Sequence, residues 1–118
     1  MIPVKKEHRS FSTKSFREFV LGCDIGGTNT NIGVFGIKNN PNLLFSFHFK
    51  TQQLKGLHEA VNYVLDYCKE TYGIHIKKAC FGVAGVVPND GSSAFMTNLS
   101  WKISKNELSK KTGLKKYS

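Results

Sequence analysis

The sequence predicts an α/β unit, a mixed sheet with helices packed on it, and three observations carry that expectation. Three short apolar or alternating segments follow one another between residues 19 and 49 with only turns between them. A segment of helical period then runs from Gln53 to Tyr72. After it comes another short apolar run, Ala79-Cys80-Phe81-Gly82-Val83. Strands in succession, a crossing helix and a returning strand are the signature of a sheet with helices on it.

Each element has its own local reason. Phe19-Val20-Leu21-Gly22-Cys23 is continuously apolar, as a strand buried on both faces should be. Asp24 to Asn29 reads as a turn, and Ile32, Val34 and Gly36 then alternate with Gly33 and Phe35 as a strand running back. Lys38-Asn39-Asn40-Pro41-Asn42 is a loop signal. Beyond it Leu43, Phe45, Phe47 and Phe49 alternate with Leu44, Ser46 and His48, completing an antiparallel three-strand meander. Leu57, Val61, Val64, Leu65, Cys68 and Tyr72 lie on one face of a helix, and Gly73 stands where a left-handed cap belongs. Val86-Val87 and Ala94-Phe95-Met96 flank the turn sequence Pro88-Asn89-Asp90-Gly91 as a hairpin. Ser104 and Glu107 form a capping box for a last short helix ended by Gly113. Leu114 to Ser118 reads as the lead-in to a strand that the chain does not make.

Composition narrows the function. A chain of 118 residues holds one domain at most, and 40% apolar with 21% charged residues is ordinary for a globular protein. No apolar run approaches the ~18 residues that span a bilayer, so no membrane partner is expected. The formal charge of +9 raises the question of nucleic acid. Lys5, Lys6, Arg9, Lys14 and Arg17 against Glu7 and Glu18 give the first 18 residues +3, and six lysines against Glu107 give residues 102–118 +5. The excess therefore lies at the two ends rather than on an aromatic-studded face, and a solvated leader and a lysine-rich helix account for it. Residues 1–18 are expected to be a basic, disordered leader, and residues 19–118 the folded part. Cys23, Cys68 and Cys80 each sit in an apolar pattern without metal spacing and read as small buried thiols in a reducing cytoplasm.

Asp24-Ile25-Gly26-Gly27-Thr28 is the most informative segment. Adjacent glycines in a tight turn let the backbone approach a ligand and aim several N–H groups one way, a concavity suited to phosphate oxygens. Thr28 adds a hydroxyl, and Asp24 at the end of the preceding strand is placed to hold Mg²⁺ directly or through water. It is neither a Walker loop nor Gly-x-Gly-x-x-Gly. A hairpin turn whose glycines serve only geometry is the plain alternative.

Gly22-Cys23-Asp24-Ile25-Gly26-Gly27-Thr28-Asn29 resembles the first phosphate-binding segment of the bacterial glucokinase family, within the actin-like sugar kinase superfamily. Ala79 to Val87 resembles that family's apolar strand ending in Ala-Gly-Pro-Val, with Val86 in place of Pro. Met96-Thr97-Asn98-Leu99-Ser100-Trp101 resembles its Met-Thr-Asn-Leu-Pro-Trp segment, with Ser100 in place of Pro. The family usually has an Arg where this chain has Asn31. The resemblance covers residues 19 to 114.

It implies the ribonuclease-H-like (actin-like ATPase) N-terminal lobe of a two-lobed kinase, incomplete here, with ATP and Mg²⁺ as cofactors and glucose or a related hexose as substrate. Cys23, Asp24, Ile25, Gly26, Gly27, Thr28 and Asn29 would form the ATP-phosphate segment, with Asp24 on the metal. Gly85, Thr97 and Asn98 would line the sugar cleft. The family's catalytic Asp, in an Asn-Asp pair on the next strand, would fall beyond Ser118, so this chain alone is expected to be inactive. A homodimer of the full-length protein is compatible with the resemblance. The alternatives are a ROK-type kinase for another hexose and a non-catalytic sugar- or nucleotide-binding protein. For a helix-turn-helix repressor, residues 1–18 are too short.

Overall fold

The computed structural model describes residues 2–83, 85–86, 93–96, 102–104, 110–114 and 116–117, with side chains over 2–82 and 110–114. Its strands are β1 (Val4–Glu7), β2 (Glu18–Ile25), β3 (Asn29–Ile37), β4 (Pro41–Lys50), β5 (Lys78–Val83), β6 (Gly85–Val86), β7 (Ser93–Met96), β8 (Lys102–Ser104) and β9 (Lys116–Tyr117). One long helix, α1 (Leu57–Tyr72), crosses between β4 and β5. Six strands form one sheet in the order β1-β4-β3-β2-β5-β9, and β6-β7-β8 form a second. The expected meander is present: β2, β3 and β4 are antiparallel neighbours, and β5 lies parallel to β2.

Helix α1 packs on the aromatic strand. Phe45, Phe47 and Phe49 are buried, and Tyr63, Tyr67 and Tyr72 of α1 meet them edge-on or tilted, with ring centroids 5.0–5.9 Å apart. Leu57, Ala60, Val61, Val64 and Cys68 are buried on the same side. The helix begins later than its apolar period suggested. Thr51–Gln53 is a 3-10 turn, and Gly56, at φ 179°, is extended and stops the helix from reaching back. Gly73 adopts φ 69° and ends it as expected, its N–H bonded to the Lys69 carbonyl at 2.9 Å.

Leu43 does not share the face of the phenylalanines. The β3–β4 register shifts between Val34 and Phe35, so that Val34 faces Phe45 while Phe35 faces Leu43. Leu44 is the extra residue of this bulge and is buried beside Phe45, while Leu43 crosses to the other side. There Phe35 and Leu43 close over backbone: a Cβ on Gly22 would lie 2.7 Å from the Phe35 ring, and one on Gly33 would lie 2.9 Å from Leu43 Cδ1.

The first 18 residues are not a disordered leader. β1 pairs antiparallel with β4, Val4 to His48 through Glu7 to Phe45, and the His8 and Arg9 N–H groups both donate to the Leu44 carbonyl. Phe11 lies against Tyr72 at 5.0 Å, and Phe16 covers Gly36. Composition alone hid this because the anchors are few and aperiodic. The outer edge of β4 is an open row of backbone groups, and β1 satisfies it.

The second sheet contains the expected hairpin, Gly85 facing Met96 and Val86 facing Phe95, and adds β8 on its far side. Ser104 is the last residue of β8, and residues 105–109, Glu107 of the expected capping box among them, lie outside the described residues. Residues 110–112 are helical and Gly113 follows at φ 76°. Leu114 is buried in the main core, and Asn62 Nδ2 donates to the Lys111 carbonyl. The lead-in then does become a strand: β9 pairs parallel with β5 at Lys78 and Ala79. Cys23 and Cys68 are buried, but Cys80 is exposed, because β5 turns Ala79 inward and the next residue outward. Among the described residues no helix is long and apolar enough to cross a membrane.

Candidate functional site

The Gly-Gly turn joins the carboxyl end of β2 to β3. Cys23 and Ile25 point into the core, so they contribute backbone only, whereas Asp24, Thr28 and Asn29 are exposed. Burial pushes the Cys23 thiol far above its ordinary range, which keeps it neutral. Asp24 faces Asn31 across the antiparallel ladder and Gly82 across the parallel one. Among the described residues its carboxylate has no hydrogen-bond or ion-pair partner. It borders an open depression of about 630 Å³ also lined by Gly22, Asn31, Phe35 and Gly82. Gly82 leaves its side of this depression open, since a Cβ there would meet nothing nearer among the described residues than the Cys23 carbonyl at 3.8 Å.

The turn is held from the far side. Thr51, at the end of β4, is fully buried. Its Oγ1 donates to the Gly26 carbonyl at 2.8 Å, and its N–H donates to the Thr28 carbonyl at 3.0 Å. Its single hydroxyl proton is thereby committed, so the 2.7 Å contact with buried Thr30 is Thr30 Oγ1 donating to Thr51 Oγ1. A trans peptide sends its C=O and N–H to opposite sides. With the Gly26 and Thr28 carbonyls drawn toward Thr51, the N–H groups of Gly27 and Asn29 are directed away from it. The Gly26 N–H is engaged instead, closing the turn onto the Asn29 carbonyl at 2.9 Å. The available donors of the segment are therefore fewer than the Gly26–Asn29 stretch implied, and they are defined.

Asn31 stands where the resembled family has Arg, and it is not idle: His48 Nδ1 donates to its Oδ1 at 2.8 Å. The Gly85 backbone opens β6, two residues beyond Val83, which lies beside Ile25 in the register of β5 and β2. The carboxyl ends of β2 and β5 are thus together. Thr97 and Asn98 lie outside the described residues, as do Ala84 and Trp101. Sequence reasoning missed Thr30 and Thr51. Their partners lie 21 and 25 residues away, so no local pattern marks them.

The Glucokinase family pattern matches residues 21–118. The chain belongs to the glucokinase family. Among curated relatives, the glucokinase of Colwellia psychrerythraea is 36% identical over 89 residues, covering 75% of this chain. The chain spans only 25% of that relative's length. Among solved structures, a glucokinase from an Antarctic psychrotroph superimposes with a TM-score of 0.69 at 24% identity, covering 85% of this chain and 31% of that one. A glucokinase from Balamuthia mandrillaris, solved in complex with glucose, gives 0.62 at 24% identity over 76% of this chain and 25% of its own. At these identities the structural likeness speaks for the fold, an α/β lobe of the sugar-kinase kind. The family membership rests on the sequence.

Proposed function

We propose that the protein is an ATP-dependent hexose kinase that transfers the γ-phosphoryl group to the 6-hydroxyl of glucose, and that this chain supplies the nucleotide-phosphate part of its site. The observation that carries the reading is the Gly26–Asn29 turn: its Gly26 and Thr28 carbonyls are fixed toward Thr51, and its Gly27 and Asn29 N–H groups, without a partner among the described residues, are directed away from Thr51 and can meet anionic oxygens. Asp24, exposed and unpaired among the described residues, is a hard oxygen donor of the kind Mg²⁺ takes. When bound, the metal would neutralise charge on the phosphates.

In this reading the Thr28 hydroxyl and the backbone from Gly27 to Asn29 orient the terminal phosphates. Asp24 holds the metal, and Gly85, Thr97 and Asn98 line the sugar cleft, with Asn98 meeting a hydroxyl. The catalytic carboxylate that accepts the hydroxyl proton belongs to the segment following residue 118 in the family. A reducing cytoplasm suits three cysteines with no disulfide between them.

The test is ADP release by the full-length gene product with glucose, mannose, fructose and N-acetylglucosamine. Glucose-dependent release abolished by EDTA is the expected result. Release that no sugar stimulates would overturn the kinase reading, and preference for another hexose would overturn glucose as substrate.

A further inference from the structure

We infer that Thr51, backed by Thr30, is a positioning residue of the phosphate turn, setting ATP affinity through the hydroxyl pair rather than merely filling the core. The inference rests on the kinase reading above and deepens it. Both side chains are fully buried, and they are the buried polar residues of the described core. A hydroxyl in such a place is costly to keep unless it satisfies something, and this pair satisfies a carbonyl of the turn itself.

The geometry gives the pair a specific task. A hairpin with two residues at its tip ordinarily closes with bonds in both directions between the flanking residues. Here Gly26 N–H donates to the Asn29 carbonyl, but the Gly26 carbonyl turns to Thr51 Oγ1. The Asn29 N–H is thus spared from closing the hairpin. The Thr51 N–H takes the Thr28 carbonyl in the same way. One residue of the β4–α1 connection therefore grips the turn at two carbonyls, and peptide planarity converts that grip into the direction of two N–H donors. Thr30 Oγ1 donates to Thr51 Oγ1, which orients the Thr51 proton toward Gly26. None of these atoms touches substrate in this account; the threonines act through the backbone of the turn.

The experiment compares Thr51→Val, Thr51→Ser and Thr30→Val in the full-length protein. Its readouts are the Kd of Mg·ATP by titration calorimetry, KM for ATP and for glucose, and the melting temperature. Val keeps the shape and removes the hydroxyl; Ser keeps the hydroxyl. Thr51→Val is expected to weaken ATP, in Kd and KM alike, by about five- to twentyfold, the equivalent of one oriented hydrogen bond. The KM for glucose should move by less than about twofold, the scatter of an unrelated site. Thr51→Ser should recover most of the ATP affinity, and Thr30→Val should show a smaller loss of the same kind.

A Thr51→Val protein with a lowered melting temperature but parental ATP affinity would overturn the inference, leaving Thr51 a core residue. So would equal impairment in Val and Ser. If Thr51→Val does not fold, Thr30→Val, which leaves the Thr51–Gly26 bond partner in place, carries the comparison. A parent protein that binds Mg·ATP without phosphorylating any hexose would sink the activity and leave the positioning role readable in Kd. A parent that binds no ATP would overturn both.

Discussion

Lys5 Nζ donates to Tyr67 Oη at 2.6 Å, joining residues 62 apart in the chain. The ammonium also lies 4.8 Å from the Tyr67 ring centroid and 5.1 Å from that of Phe45, and it pairs with Glu7. Partial burial alone would lower its pKa, yet the bonds to Glu7 and Tyr67 outweigh burial and raise it. This contact fastens β1 to α1 over the aromatic strand. Lys5→Met is expected to cost about 1–2 kcal/mol and Tyr67→Phe about 1 kcal/mol in urea unfolding. The double variant should cost less than the sum, since both remove one bond. Additive losses would show that the pair does not couple.

Alkaline pH should unfold the lobe through the same core. Burial raises Cys23, and it pushes the Cys68 thiol up to about 12. Between the ordinary thiol value near ~8.5 and the raised folded values, the unfolded chain has lost protons that the folded chain retains. Stability then falls as pH rises, by about 1.4 kcal/mol per unit for each thiol. Burial of Tyr72 raises its phenol and adds to the trend above its ordinary value near ~10. Lys5, also raised, contributes in the same direction once the unfolded amine begins to lose its proton. Urea midpoints from pH 8 to 11 should show a steepening decline, and Cys68→Ala should reduce the slope by one proton. An unchanged slope in that variant would remove Cys68 from the account.

Much of this was legible because the signals are local. The period-two row Phe45, Phe47, Phe49 and the helical row Leu57, Val61, Val64, Cys68 each declare one buried face, and both are buried. Gly73 announced its left-handed turn because few other residues accept it. What escaped is non-local. The bulge that sends Leu43 to the far face depends on pairing with Val34 and Phe35. The order in the first 18 residues depends on an edge that β4 offers only once the sheet exists. Cys80 looked buried because its run is apolar, but alternation places it outward. At the site, Asp24 and the Gly-Gly turn were plain in the sequence. Thr51 was not, because a threonine after a strand carries no mark of the carbonyl it will reach.

Two glycine substitutions separate packing from permissive space. Gly36→Ala would put a methyl 2.6 Å from Phe16 Cγ, in a place where the ring is held between β3 and Phe19. Something must move, and a loss of about 1–3 kcal/mol is expected. Gly82→Ala meets, among the described residues, only the Cys23 carbonyl at 3.8 Å, an ordinary contact, and stability should change by less than about 1 kcal/mol. Chemical denaturation of the two variants side by side checks the contrast. Comparable losses in both would mean that Phe16 yields more easily than its position against Gly36 indicates.

Asp24→Asn distinguishes a structural carboxylate from a metal-holding one. The side chain is exposed and, among the described residues, unpaired, while its neighbours Cys23 and Ile25 hold the strand in the core. Asn has nearly the same shape, so unfolding stability should shift by no more than about 0.5 kcal/mol. Removing the charge should matter only where Mg²⁺ and phosphate are brought together. A neutral amide is a poorer ligand for a hard cation, and in the proposed site the charge it replaces would help draw the metal to the phosphates. In the full-length protein kcat should fall by about a hundredfold, and the Mg²⁺ concentration for half-maximal rate should rise. Those readings separate the alternatives. Lost stability with intact Mg²⁺ dependence would make Asp24 a strand-end residue, whereas retained stability with a shifted Mg²⁺ requirement would make it the ligand.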